Sequence, residues 1–100
     1  MKYSLLFLEE AKQEWLDAVE YYESKQKRLG TRFSKSVEAH LQILIKSPKY
    51  FKKVKKNYRQ ILVKPFPFLI IYRIDETKHL VVIVSIFHAK RHPKHKYRRE

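Results

Sequence analysis
Cationic side chains dominate what this sequence can do chemically. Residues 51–100 hold fourteen Lys/Arg against three Asp/Glu, a net of +11, whereas residues 1–50 hold nine against seven. Lys52, Lys53, Lys55 and Lys56 crowd one short stretch, Arg59 opens the alternating segment after it, and Lys64 closes that segment. Arg73 is the single charge in the apolar run Phe68-Leu69-Ile70-Ile71-Tyr72-Arg73-Ile74. His88 ends the last apolar run, and Arg91 and Tyr97 follow it. Ammonium and guanidinium groups bind phosphate and carboxylate oxygens through charge-assisted hydrogen bonds, the guanidinium often with two at once. An imidazole such as His88 adds a group that changes charge near neutral pH. The natural partner of such a set is a polyanion: nucleic acid, the ribosome, or an acidic protein segment. Charge alone does not choose among them.

Other chemistries are poorly served. There is no cysteine, so disulfides and thiolate–metal clusters are excluded. Of the five histidines (40, 79, 88, 92 and 95), His92 and His95 sit in a basic tail that repels cations, and no Asp or Glu joins them. No metal and no other cofactor is expected. One glycine, Gly30, cannot make a phosphate-cradling loop, and no Ser–His–acid arrangement is visible. Several candidates also have a plain structural reading. Arg73 either pairs with Asp75 or Glu76 at a strand end or faces a functional surface. His88 either hydrogen-bonds a neighbouring strand or takes part in chemistry, and the lysine cluster is either a phosphate grip or a solvated loop.

The elements that must position these groups follow from apolar periodicity. Residues 2–7 read as a short strand. Leu8, Ala11, Trp15, Ala18 or Val19, and Tyr22 recur at helical spacing, which predicts an amphipathic helix over 8–28 with Trp15, Tyr21 and Tyr22 used in packing. Its acids come early and its bases late, in the order the helix dipole favours. Gly30 is read as a left-handed C-cap and Thr31 as the cap of a second helix, whose stripe is Phe33, Val37, Leu41, Leu44 and Ile45 and which Ser47-Pro48 ends. Lys49 to Asn57 reads as a basic loop. Strands are predicted at 58–64, at Phe68–Ile74 buried on both faces, and at His79–Phe87, with Asp75-Glu76-Thr77-Lys78 as a hairpin turn.

The expected fold class is therefore α+β: an N-terminal strand, an antiparallel two-helix hairpin, then a three-strand antiparallel meander, with the helices on one face of a single sheet. A chain of 100 residues makes one domain, placed at 1–88, with 89–100 as a basic C-terminal tail. No apolar run approaches a membrane span, and the short apolar start meets Glu9 and Glu10 where a leader would need a cleavage site. A cytoplasmic protein without membrane contact is expected.

That order resembles the RelE/ParE toxin superfamily of type II toxin–antitoxin systems, and local sequence agrees. Gly30-Thr31-Arg32-Phe33 with Leu41 and Ile45-Lys46-Ser47-Pro48 resembles the family's second helix and its closing proline. Arg59 and then Phe66-Pro67-Phe68-Leu69-Ile70-Ile71-Tyr72-Arg73-Ile74 resemble the central strands. His88-Ala89-Lys90-Arg91-His92-Pro93 resembles the His-x-x-Arg-x-Pro close found on the ParE-like side, which is the side favoured. The resemblance implies a growth-inhibiting toxin neutralised by a cognate antitoxin in a hetero-oligomer, with DNA gyrase as the target in ParE-like members. RelE-like members instead cleave mRNA in the ribosome, and a third reading is an inactive antitoxin-binding module. Cleavage needs a base for the 2′-hydroxyl, a charge to stabilise the phosphorane and an acid for the leaving oxygen. For that case the resemblance points to His88, Arg73 and Arg91 as catalytic groups. Arg59, Lys64, Lys52, Lys53, Lys55, Lys56 and Tyr97 are then the binding set.

Overall fold
The computed structural model describes residues 3–90. The chain runs β1 (Ser4–Phe7), α1 (Glu9–Lys25), α2 (Leu29–Lys46), β2 (Lys53–Lys55), β3 (Tyr58–Leu62), β4 (Phe68–Asp75) and β5 (Leu80–His88). All five strands join one sheet in the order β1-β5-β4-β3-β2. The fold is the expected α+β arrangement of one strand, two helices and a strand meander, with two refinements. The sheet is mixed, because β1 pairs parallel with β5 while the other pairs are antiparallel. A parallel partner for the first strand is possible because the helical hairpin supplies a long crossover. The lysine stretch read as a loop contains a strand, β2, which pairs with β3 and forms an edge. Alternation of lysine with one valine over three residues is too short a signal to separate an edge strand from a loop.

The helices pack on one face. Phe33, Val37, Leu41 and Leu44 of α2 and Ala11 and Ala18 of α1 are buried against Ile61, Phe68, Ile70, Tyr72, Val81, Ile83 and Ile86 of the sheet. Tyr22, Phe33, Phe66 and Phe68 form an aromatic knot, with the Phe33 and Phe68 ring centres 4.9 Å apart and those of Tyr22 and Phe66 5.0 Å apart. A smaller cluster of Tyr58, Ile71, Val82, Val84 and Phe87 lies on the other side of the strands, so β4 and β5 are buried on both faces as their composition implies. Trp15 is only half-buried and packs against the main core beside Phe7, their ring centres 5.7 Å apart. Among the described residues no helix is long and apolar enough to cross a membrane.

The turn between the helices differs from expectation in an informative way. Arg28, not Gly30, adopts the left-handed conformation, with φ 72°, and it precedes α2. Gly30 instead lies inside α2 and is buried. A Cβ there would stand 2.5 Å from the Val19 carbonyl oxygen, so glycine is required for close approach of the helices and not for its φ. Thr31 makes no cap; the side chain of Glu23 on α1 accepts hydrogen bonds from the Arg28 and Gly30 N–H groups, at 2.9 and 3.0 Å. A neighbouring helix thereby satisfies two donors that a local cap would have taken.

Three hydrogen bonds tie the α2–β2 connection to the sheet. The buried Tyr72 hydroxyl donates to the Pro48 carbonyl at 2.7 Å, and the Arg59 guanidinium donates to the Phe51 and Lys49 carbonyls at 2.6 and 3.2 Å. Burial pushes the Tyr72 phenol up to about 12.

Gly30→Ala is expected to lower the thermal midpoint. Overpacking of this kind costs about 1–3 kcal/mol, against roughly 1 kcal/mol that alanine gains by helix propensity. Tyr72→Phe should cost about 1–3 kcal/mol in a denaturant melt, because the Pro48 carbonyl is left without its donor. The raised phenol contributes stability that is complete below its unfolded value near pH 10. That stability fades as pH climbs through about 12. Absorbance titration should show one late phenol that Tyr72→Phe removes.

Candidate functional site
Among the described residues the sequence candidates do not all converge on one point. Lys52, Lys53, Lys55 and Lys56 are all exposed along β2 and its ends, and Tyr50 beside them is 80% exposed. Charge along this edge blunts its tendency to pair with another strand and leaves a ribbon of ammonium groups facing solvent. Arg59 sits close by but turns inward, spending its guanidinium on the two loop carbonyls, so it shapes the ribbon's base. Lys49 is likewise engaged, 2.7 Å from Glu76, and Glu76 also accepts from the Tyr3 hydroxyl at 3.0 Å. The Lys49 ammonium, followed by the Tyr3 hydroxyl, holds the exposed Glu76 carboxyl below its usual range. Lys64 is exposed past the far end of β3, away from the ribbon.

Arg73 stands on the sheet face opposite the helices. Arg59 pairs with Tyr72, so Tyr58 and Arg73, one step to either side, face each other. Tyr58 in turn pairs with Lys55, and Arg73 with Val82. Lys55, Tyr58 and Arg73 therefore share one rung across three strands. The sequence candidates include Lys55 and Arg73 but miss Tyr58, which only the strand register places between them.

His88 is at the other end of the sheet. It pairs with Phe68, five positions from Arg73 along β4, a separation of about 17 Å at the usual strand rise. Its ring meets Phe68 with centres 5.5 Å apart, and its Nδ1 accepts the Lys90 N–H at 3.1 Å. It also borders a cleft of about 540 Å³ between α1 and the end of β5, walled by Glu14, Asp17, Tyr21 and Tyr22. Glu14 reaches across to the strand: one carboxylate oxygen accepts from the Ser85 hydroxyl at 2.9 Å and from the Ile86 N–H at 3.1 Å. Sequence reading passes over Glu14 because an acid on an amphipathic helix looks like any solvated residue. Arg91, Tyr97 and the tail from residue 91 onward lie outside the described residues. Among the described residues no three His, Asp or Glu side chains are grouped to hold a metal ion.

Known proteins bear on this geometry. No curated protein is similar enough in sequence to match. An arginine-to-alanine double mutant of E. coli toxin RelE in the free state shares the fold, with a TM-score of 0.72 at 20% identity, over 97% of this chain and 92% of that one. A chain of the chromosomal ParDE toxin–antitoxin system from P. aeruginosa gives 0.75 at 12% identity, over 88% and 97%. The RelBE2 toxin–antitoxin complex from Mycobacterium tuberculosis gives 0.62 at 18% identity, over 88% and 99%. The family model described as ParE toxin of type II toxin–antitoxin system, parDE, matches residues 5–93, nearly the whole chain. With strand, helical hairpin and basic meander in the same order, the chain belongs to the ParE toxin family within the RelE/ParE superfamily.

Proposed function
We propose that this chain is the toxin of a type II toxin–antitoxin module, that it arrests growth by contact with DNA gyrase, and that an acidic antitoxin neutralises it. The observation that carries the gyrase reading is dispersion. His88 lies about 17 Å along the sheet from Arg73, and Arg59 is committed to loop carbonyls. Phosphodiester cleavage needs its acid, base and charge stabiliser within hydrogen-bond reach of one phosphate. Exposed basic groups spread over a surface suit protein–protein contact better. The match to the ParE family points the same way. A net charge of +13 also favours an acidic neutralising segment, with fast and salt-sensitive association.

One observation favours a second reading. Lys55, Tyr58 and Arg73 share a rung on the helix-free face, and those three residue types can bind a phosphate and move its protons. In that reading the chain is a ribosome-dependent endoribonuclease, with the lysine ribbon gripping the backbone.

Brief induction in a bacterial host, with parallel mapping of transcript 5′ ends and of DNA breaks, separates the two. Growth arrest with DNA breaks and no new 5′ ends is expected, and new ends within translated codons would overturn the gyrase reading. Arg73→Ala should fold normally by circular dichroism. It should also weaken target engagement about tenfold, the effect of one charge-assisted hydrogen bond. Full toxicity of that variant would remove Arg73 from the contact surface.

A further inference from the structure
The connection from α2 into β2 is bonded almost residue by residue. The Ser47 carbonyl accepts the Tyr50 N–H at 3.1 Å, and the Pro48 carbonyl accepts the Tyr72 hydroxyl at 2.7 Å. The carbonyls of Lys49 and Phe51, on either side of Tyr50, both accept from the Arg59 guanidinium. The Lys49 ammonium is fixed to Glu76 at 2.7 Å, and the Phe51 ring packs against the main core. These bonds hold the backbone on both sides of Tyr50 and so set the direction in which its side chain leaves the surface. Yet that side chain is 80% exposed, the highest value among the large apolar residues described. Its ring stands nearly perpendicular to that of Phe51, with centres 5.0 Å apart. Exposed Lys52, Lys53 and Lys56 follow within six residues, with Val54 43% exposed between them.

We propose that Tyr50, rimmed by Lys52, Lys53 and Lys56, is the anchor by which this chain docks on its gyrase target, and that it seats in an apolar hollow of that protein bordered by carboxylates. The proposal rests on the gyrase reading above and adds the place of contact. Protein interfaces draw most of their affinity from a few aromatic or arginine anchors enclosed by a polar rim. An anchor whose backbone is already fixed loses little freedom on binding, so more of its burial appears as affinity. Strand register favours a protein over a nucleic acid here. Lys53 pairs with Arg59, which lines up with the core residue Tyr72, whereas Lys55 pairs with Tyr58 on the opposite face. Charge on both faces of an edge strand makes a ridge, while a single nucleic-acid strand is held in a groove that tracks its phosphates. A second copy of this chain is a poor occupant, because two bodies of charge +13 repel.

Affinity of the full chain for purified gyrase holoenzyme tests this, measured for the wild type and for folded variants checked by circular dichroism. Tyr50→Ala should weaken binding by about tenfold or more, whereas Tyr50→Phe, which keeps the ring, stays within about threefold. Lys52→Glu combined with Lys53→Glu should also weaken it by about tenfold or more. Lys35→Glu, an exposed charge on α2, controls for net charge and should stay within about threefold. Should the alanine variant fail to fold, the lysine pair and its control decide. Undiminished gyrase binding by Tyr50→Ala or by the lysine pair overturns the anchor alone, as does a loss in Lys35→Glu equal to theirs. An equal loss in Tyr50→Phe overturns the apolar seat. Where gyrase binding survives, the same variants show what the surface serves instead. Weakened binding of a short oligouridine means nucleic acid, weakened binding of the antitoxin means that protein, and a fall in mass by light scattering means a second copy. A wild type that does not bind gyrase at all overturns the gyrase reading and this proposal with it.

Discussion
The parallel pairing of β1 with β5 is the constraint from which the rest of the molecule follows. Four residues of β1 align with Leu80 to Ile83, and the Leu8 N–H makes a last bond to the Ile83 carbonyl. The chain then leaves the sheet directly into α1, whose first residue is Glu9. The first helix is therefore anchored beside β5 before it has travelled one turn. The hairpin of α1 and α2 must return the chain to the opposite edge, which is where β2 begins. Burial of Ala11 and Ala18 brings α1 close to the strands, and the absent side chain of Gly30 lets α2 lie against α1.

That anchoring also divides the surface electrically. Six of the ten acids, Glu9, Glu10, Glu14, Asp17, Glu20 and Glu23, are on α1, whereas the lysine ribbon lies across the sheet on the far edge. Two of those acids have internal tasks. Glu23 caps the start of α2, and Glu14 accepts from the Ser85 hydroxyl and the Ile86 N–H of β5. The lysines of the β2 edge are exposed and contribute to the chain's long-range field.

Much of the architecture is legible from the chain. Helical spacing of Phe33, Val37, Leu41 and Leu44 identifies the buried stripe of α2, and Ser47-Pro48 marks its end. The continuous apolar runs around Ile70 and Ile83 identify strands buried on both faces. Less was legible at the candidate site. A three-residue strand of lysines has too little pattern to announce itself. Arg59, which looks like a binding group, donates to carbonyls brought near only by the turn after α2. Glycine's two uses, a left-handed turn and a close approach, look alike in sequence, and here the second applies.

The sequence by itself determined the element order, the apolar faces, the concentration of positive charge in the second half and the family resemblance, because these depend on residues close together along the chain. Tertiary structure alone decided the parallel β1–β5 pair, the shared rung of Lys55, Tyr58 and Arg73, and the meeting of Glu14 with Ile86 across more than seventy residues. Strand register is fixed by packing of a whole face against its neighbours. No local spacing encodes which acid will come to rest against a strand more than seventy residues away.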